Sequence, residues 1–303
     1  MSKKRTVALT VGAASIAAWA ASKVLSKPIP RSPKDVLQFS ETILLANQGG
    51  LQEAPENTLT AFQQAASIGV HGFVISIRLT KDEQIIVYQH DYVNETTDLT
   101  GKVNEFTLAE LQEADAAYHF TNEDGETIYR GKDEKMLTLE TLLNAFPHHL
   151  ICIEIQDEPN SYEGSLLPSK LWYLIEQLDA TKRVLVFSEY EEQLDRFNLY
   201  AQDQVAIGGG SKEIKKAYTA YSSQFGHFYR PQHDFFFTPQ KVGLFSLQQA
   251  GFLQFLNKLN VPVMFTIANG EQDFLPLIEA GAAGIITNEP QHVMPILQSS
   301  TEI

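Results

Sequence analysis

From residue 42 to residue 287, short runs rich in β-branched and aromatic residues alternate with stretches whose apolar residues recur at helical spacing. This order restricts the fold more than any other feature of the chain. Strands separated by helices pair in parallel, and each crossover covers a face of the sheet. The runs predict strands at 42–47, 72–79, 150–155, 184–188, 205–209, 234–237, 263–268 and 284–287. Between them "NTLTAFQQAASIG", "LPSKLWYLIEQLD", "SLQQAGFLQFLNKLN" and "DFLPLIEAG" carry helical patterns, the first and last closing on glycine. Eight strand–helix repeats in this length point to an α/β fold, a closed (β/α)8 TIM barrel.

One further run, "QIIVYQHD" at 84–91, follows the second strand after only "TKDEQ". A parallel neighbour needs a long crossover, so this pair must form a hairpin. A turn centred near Glu83 sets His90 level with Ser76, near the top of the second barrel strand. Catalytic groups of such barrels come from that rim, which makes His90 a candidate site residue. Residues 92–137 are too many for a plain loop and contain a short helical pattern at 108–114. They read as a small insertion over the barrel mouth.

Alternation along a strand assigns faces. In "FVISIRL", Val74, Ser76 and Arg78 share the inward side, while Phe73, Ile75, Ile77 and Leu79 point toward the helices. In "ICIEIQ", Cys152, Glu154 and Gln156 share the inward face. Arg78 is the one cation near the expected site, and Cys152, the only cysteine, reads as a small buried hydrophobe. A formal net charge of −14, from 23 Lys plus Arg against 37 Asp plus Glu, excludes nucleic acid as a partner.

The opening residues 1–34 form a separate unit, and the barrel domain is expected over 35–303. Lys3, Lys4 and Arg5 precede a charge-free run from Thr6 to Ser22, followed by "SKPIPRSP". That pattern is a signal peptide or a membrane anchor, and Ala18-Trp19-Ala20 fits a small-x-small cleavage site. With the positive residues held inside, either reading sends the folded domain out of the cytoplasm, exported or membrane-anchored.

Taken together, "EAPENTLTAF", "RLTKDEQIIVYQHD", "TTDLTG", "TLAELQEADA", "LTLETLL", "CIEI" and "GAAGIITNEP" resemble the glycerophosphodiester phosphodiesterase family, in the same order and at compatible spacings. The resemblance implies a TIM barrel, a divalent metal (Mg2+ or Ca2+), and hydrolysis of glycerophosphodiesters to glycerol 3-phosphate and an alcohol. It also implies that several site positions have changed. The family's first strand ends in His-Arg-Gly, and here Asn47 and Gln48 precede the retained Gly49. Its second strand carries Glu-x-Asp, both metal ligands, and the matching positions are Val74 and Ser76. Glu154 matches a metal-binding glutamate, while Gln156 stands where a phosphate-contacting lysine is usual. Phe265, Ala268 and Asn288 replace a usual tryptophan, asparagine and aspartate.

What the resemblance retains is Glu56 with Asn57, His90 with Asp91, and Glu154. His90 is carried over as the catalytic position, Glu56, Asn57 and Arg78 as phosphate- or substrate-binding candidates, and Glu154 as a vestigial metal ligand. Asn57 is also a candidate helix cap, since a helix starts just after it. The expected product is a barrel with little or no catalysis, no metal cofactor, and a glycerophosphodiester or lipid-headgroup ligand. The competing expectation is an active phosphodiesterase whose site is rebuilt from His227, His233 and Asp234. In that version a Gly208-Gly209-Gly210 turn offers backbone N–H groups to an anion.

Overall fold

A computed structural model describes Trp19, residues 26–268 and residues 274–301. The stretch read as an export signal or anchor lies, Trp19 apart, outside the described residues. No helix among the described residues is long and apolar enough to cross a membrane.

The chain runs through β1 (Ile43–Asn47), α1 (Leu59–Ser67), β2 (Gly72–Leu79), β3 (Ile85–Val87), α2 (Leu108–Glu113), α3 (Leu139–Ala145), β4 (Leu150–Ile155) and α4 (Tyr162–Gln177). It continues through β5 (Val184–Phe187), α5 (Glu191–Ala201), β6 (Ala206–Gly209), α6 (Ser211–Ser222), β7 (Phe235–Pro239), β8 (Lys241–Val242) and β9 (Phe245–Ser246). The last elements are α7 (Ala250–Asn257), β10 (Val263–Thr266), α8 (Leu275–Glu279), β11 (Gly284–Thr287) and α9 (Pro290–Thr301). Strands β1, β2, β4, β5, β6, β7, β10 and β11 pair in parallel, and pairing of β1 with both β11 and β2 closes the barrel. All eight expected strands are present, and the fold is the expected (β/α)8 barrel.

Local chemistry explains the helix ends. Thr58, Thr107, Thr138 and Ser161 each accept a backbone N–H from the first turn of the helix that follows, the preferred N-cap arrangement. Asn57 is therefore not the cap of α1, contrary to the sequence reading. Its backbone takes a left-handed φ of 59° and hands that role to Thr58.

The faces follow the alternation. Phe73, Ile75, Ile77 and Leu79 lie in the core between barrel and helices, and Val74 and Cys152 lie inside the barrel with Leu45, Leu185, Met264 and Ile286. Gly208 and Gly209 are buried strand residues, not a turn. A Cβ at either would sit 2.5 Å from the Phe235 ring or 2.7 Å from the Phe236 ring, so close aromatic packing accounts for both glycines.

The hairpin pairs Ile77 with Val87, Arg78 with Ile86 and Leu79 with Ile85. Its turn is centred on Asp82, one residue earlier than expected, because Glu83 takes a left-handed φ of 60° and Thr80 N–H reaches Gln84 O at 3.0 Å. Tyr88, not His90, is thus level with Ser76, donating its N–H to Ser76 O at 2.8 Å. Residues 92–137 pack Val93, Val103, Leu111 and Met136 over Ile86 and Tyr88, on the mouth side of the hairpin.

The opposite, N-terminal end of the barrel is closed by the chain entering it. Leu37 packs beneath the barrel interior. Arg31 and Lys34 pair with the buried Asp234 at 2.7 and 3.3 Å, and Lys34 also donates to the carbonyls of Asp203 and Val205.

Candidate active site

Strand register brings the expected positions together at the C-terminal ends of β1, β2 and β4. Asn47 pairs with Val74, Val74 with Cys152, and Ser76 with Glu154. What those side chains form is a neutral hydrogen-bond network around one carboxylate. Glu154 Oε2 accepts from Ser76 Oγ at 2.9 Å and from Gln156 Nε2 at 2.8 Å. Burial raises the Glu154 carboxyl above the usual carboxylate range, against the two hydrogen bonds that lower it, and nearby Glu189 adds to the rise.

The first-strand corner is also built of amides. Asn47 Nδ2 donates to Asn288 Oδ1 at 2.9 Å, and Gln48 Nε2 contacts Gln89 Oε1. Gln48 is buried at a left-handed φ of 52°, followed by Gly49 at 84° and Gly50 at 93°. The chain needs Gly49 for packing as well as for its φ. A Cβ there would meet Ala61 Cβ at 2.7 Å, where α1 crosses the corner. Gln48 O accepts the Asn57 N–H at 3.0 Å, while both polar side-chain atoms of buried Asn57 have no hydrogen-bond partner.

Two ion-pair systems flank the network. His90 Nε2 lies 3.0 Å from Glu56 Oε1, and this bond holds the imidazole above the usual histidine value. On the other side Arg78 Nη1 donates to Asp157 Oδ1 at 3.0 Å, Nη2 lies 2.5 Å from Asp91 Oδ1, and Nε donates to Gln89 O at 3.0 Å. Asp157 Oδ2 also takes the Leu79 N–H at 3.0 Å. Asp157 was not foreseen. Its signal was indirect: an inward arginine on a strand needs a partner, and an aspartate lies two residues past the end of the adjoining strand.

These groups border a cleft of about 700 Å³ between the insertion and the loop after β4. Its lining includes Arg78, His90, Asp91, Tyr92, Lys102 and Tyr190, together with the carboxylates of Glu95, Asp157, Glu158 and Glu163. Arg78 is already committed to two carboxylates, so the cleft presents a predominantly negative wall.

The donor set does not fit the divalent metal that the family resemblance implies. A hard cation wants about six oxygen ligands, carboxylates prominent among them. Here Glu154 is held by a hydroxyl and an amide, and the neighbouring inward position on β2 is the apolar Val74. Among the described residues no group of three His, Cys, Asp or Glu side chains has metal-holding geometry.

Phe265, the counterpart of a usual tryptophan in the resemblance, has its ring fully buried on the helix side of β10, and Thr266 is its exposed neighbour. One further expectation is corrected. His227, His233 and Asp234 do not rebuild a site. They precede β7, and Asp234 is engaged at the N-terminal end by Arg31, Lys34 and the Ile207 N–H.

Residues 48–292 match the model of the Glycerophosphoryl diester phosphodiesterase family. A glycerophosphodiester phosphodiesterase of Caldanaerobacter subterraneus subsp. tengcongensis is 25% identical over 260 residues, 85% of this chain and 98% of that protein. One from Bacillus altitudinis is 32% identical over 157 residues, 52% of this chain and 62% of that protein. Among solved structures, the glycerophosphoryl diester phosphodiesterase domain of a Mycobacterium tuberculosis protein has the same fold, with a TM-score of 0.72 at 17% identity. That likeness covers 86% of this chain and 100% of the other.

Proposed function

The chain belongs to the glycerophosphoryl diester phosphodiesterase family, and from that premise we propose that it has exchanged hydrolysis for binding, acting as a ligand- or partner-binding barrel at the cell envelope. The observation that carries this reading is the neutral network that encloses Glu154. Carboxamides at 47 and 288 cannot exchange a proton near neutral pH, and Gln48 offers no charged fork to a phosphate. Loss of a general acid or base alone slows such a reaction by ~10² to 10⁴. Loss of the charge clamp on the phosphoryl oxygens removes several kcal/mol more, and the two effects overlap rather than add.

The ligand is a glycerophosphodiester or a lipid headgroup. The carboxylates of Glu95, Glu158 and Glu163 in the cleft favour headgroups that end in an ammonium over wholly anionic ones. Placement at the envelope follows from the basic and then apolar opening of the sequence.

The test is incubation of the full chain with glycerophosphocholine, with and without Mg2+ or Ca2+, and measurement of glycerol 3-phosphate. No release above background is expected, together with saturable binding of glycerophosphocholine by calorimetry. Metal-dependent, multiple-turnover release that His90→Ala abolishes would establish the alternative, an active phosphodiesterase. Cell fractionation checks the location, the expected result being chain in the membrane or extracytoplasmic fraction.

A further inference from the structure

We infer that the N-terminal end of the barrel, opposite the cleft, is a membrane-apposed face that holds the mouth away from the bilayer. The inference rests on reading residues 3–22 as a retained anchor. It adds the orientation that such an anchor imposes.

The first observation is the route of the chain. Ser26, four residues past the apolar run, donates its hydroxyl to His227 O at 3.3 Å. Arg31 N–H then donates to Leu259 O at 2.9 Å, and Asn260 Nδ2 to Arg31 O at 2.8 Å, before Arg31 and Lys34 reach Asp234. Every partner in this series lies in or beside a loop leading into a barrel strand, so the entering segment crosses the end opposite the mouth. A helix anchored in a bilayer would deliver the domain with this end down.

The second observation is an exposed aromatic turn at that point. Phe225 and Phe228 are 48% and 51% exposed, their rings stacked 6.3 Å apart beside His227. Ile29, on the entering segment, is 63% exposed. Neighbouring Tyr229 is buried in the core, so packing does not account for its two exposed neighbours. Aromatic and aliphatic residues exposed beside an anchor suit the interfacial zone of a membrane.

Charge separates the two ends. Lys27 and Arg230 adjoin the entering segment and the turn in sequence, and Lys258 adjoins Leu259, the acceptor of the Arg31 N–H, among acids such as Asp35 and Asp203, so this end is of mixed sign. The mouth carries Glu95, Glu158, Glu163 and Glu189 on its cleft walls. An anionic bilayer repels the mouth and tolerates the opposite end. In this orientation a freely diffusing glycerophosphodiester reaches the cleft, whereas a headgroup of the anchoring bilayer does not.

The test uses the full chain in phosphatidylethanolamine vesicles containing phosphatidylglycerol. An environment-sensitive dye is attached at Ser223→Cys, beside the aromatic turn, or at Leu244→Cys, the fully exposed tip beyond β7 at the mouth end. Cys152 is buried, so labelling is confined to the introduced thiol. Lipids carrying a quencher near the headgroup are expected to dim the dye at 223 roughly twofold or more and leave that at 244 unchanged. Phe225→Ser with Phe228→Ser in the 223 background should reverse most of that quenching. Quenching at 244, or at neither position, overturns the proposal, and the latter leaves the turn to a protein partner or to solvent. A carbonate wash separates the two readings. A chain that resists the wash with 223 unquenched overturns the orientation alone, and one that never associates with vesicles overturns the anchor reading as well.

Discussion

Asn47 and Asn288 are joined amide to amide at 2.9 Å, one step beyond the last register pair of β1 and β11, Ala46 with Thr287. At the two positions where the family resemblance implies a histidine and an aspartate, this chain carries two amides hydrogen-bonded to each other. Such a bond keeps the barrel rim closed without a titratable group. A double-mutant cycle of Asn47→Ala and Asn288→Ala, read by urea denaturation, should give a coupling of about 0.5–1.5 kcal/mol. A coupling near zero would mean that the pair contributes nothing to the rim.

Restoring the family's residues tests the positional correspondence itself. Asn47→His, Gln48→Arg, Val74→Glu, Ser76→Asp and Gln156→Lys, made together, place carboxylates at 74, 76 and 154 on adjoining strands. Calorimetry with Ca2+ should then show binding where the natural chain shows none, with circular dichroism checking that the barrel persists. A folded variant with no gain in affinity would count against Val74 and Ser76 as the former ligand positions.

Arg78 is expected to be structural before it is anything else. It satisfies Asp157, which is 7% exposed and also holds the Leu79 N–H. Arg78→Ala strands that carboxylate in the protein and should destabilise the fold by about 3–5 kcal/mol in a denaturant titration. Arg78→Lys should recover less than half of the loss, because a single ammonium cannot replace a planar fork that reaches Asp157, Asp91 and Gln89 O together. A loss below about 1 kcal/mol for Arg78→Ala would mean that the pairing with Asp157 contributes little to stability, and would favour the ligand-binding role expected from the sequence.

Much of this was legible in the sequence because strand alternation is rigid. Once the strands were placed, Val74, Ser76 and Glu154 had to face inward together, and Phe73, Ile75 and Ile77 outward, as found. Features set by single φ angles were not legible. A left-handed Glu83 moved the hairpin register, and a left-handed Asn57 moved the cap of α1 to Thr58. The same strand alternation puts Met264 inside the barrel and Phe265 on the helix side. Asp157 was missed because it acts from just past a strand end, where alternation no longer fixes direction.

The His90–Glu56 pair gives a pH dependence of definite sign. The hydrogen bond to Glu56, 3.0 Å away, is the largest influence on His90 and raises its pKa, with Glu95 adding to the rise and burial and Arg78 opposing it. A histidine whose folded value lies above its unfolded value of about 6.5 binds its proton more tightly in the folded state. Its contribution to stability is therefore full below about pH 6.5 and is lost as pH rises through the folded value. His90 is partly exposed, so the loss is modest. Proton NMR of the imidazole should show a midpoint above that of a free histidine, falling back toward it in Glu56→Gln, and the urea midpoint of Glu56→Gln should lose this component of its pH slope. A midpoint in the natural chain at or below the free value would mean that burial outweighs the pair, and that His90 is neutral at physiological pH.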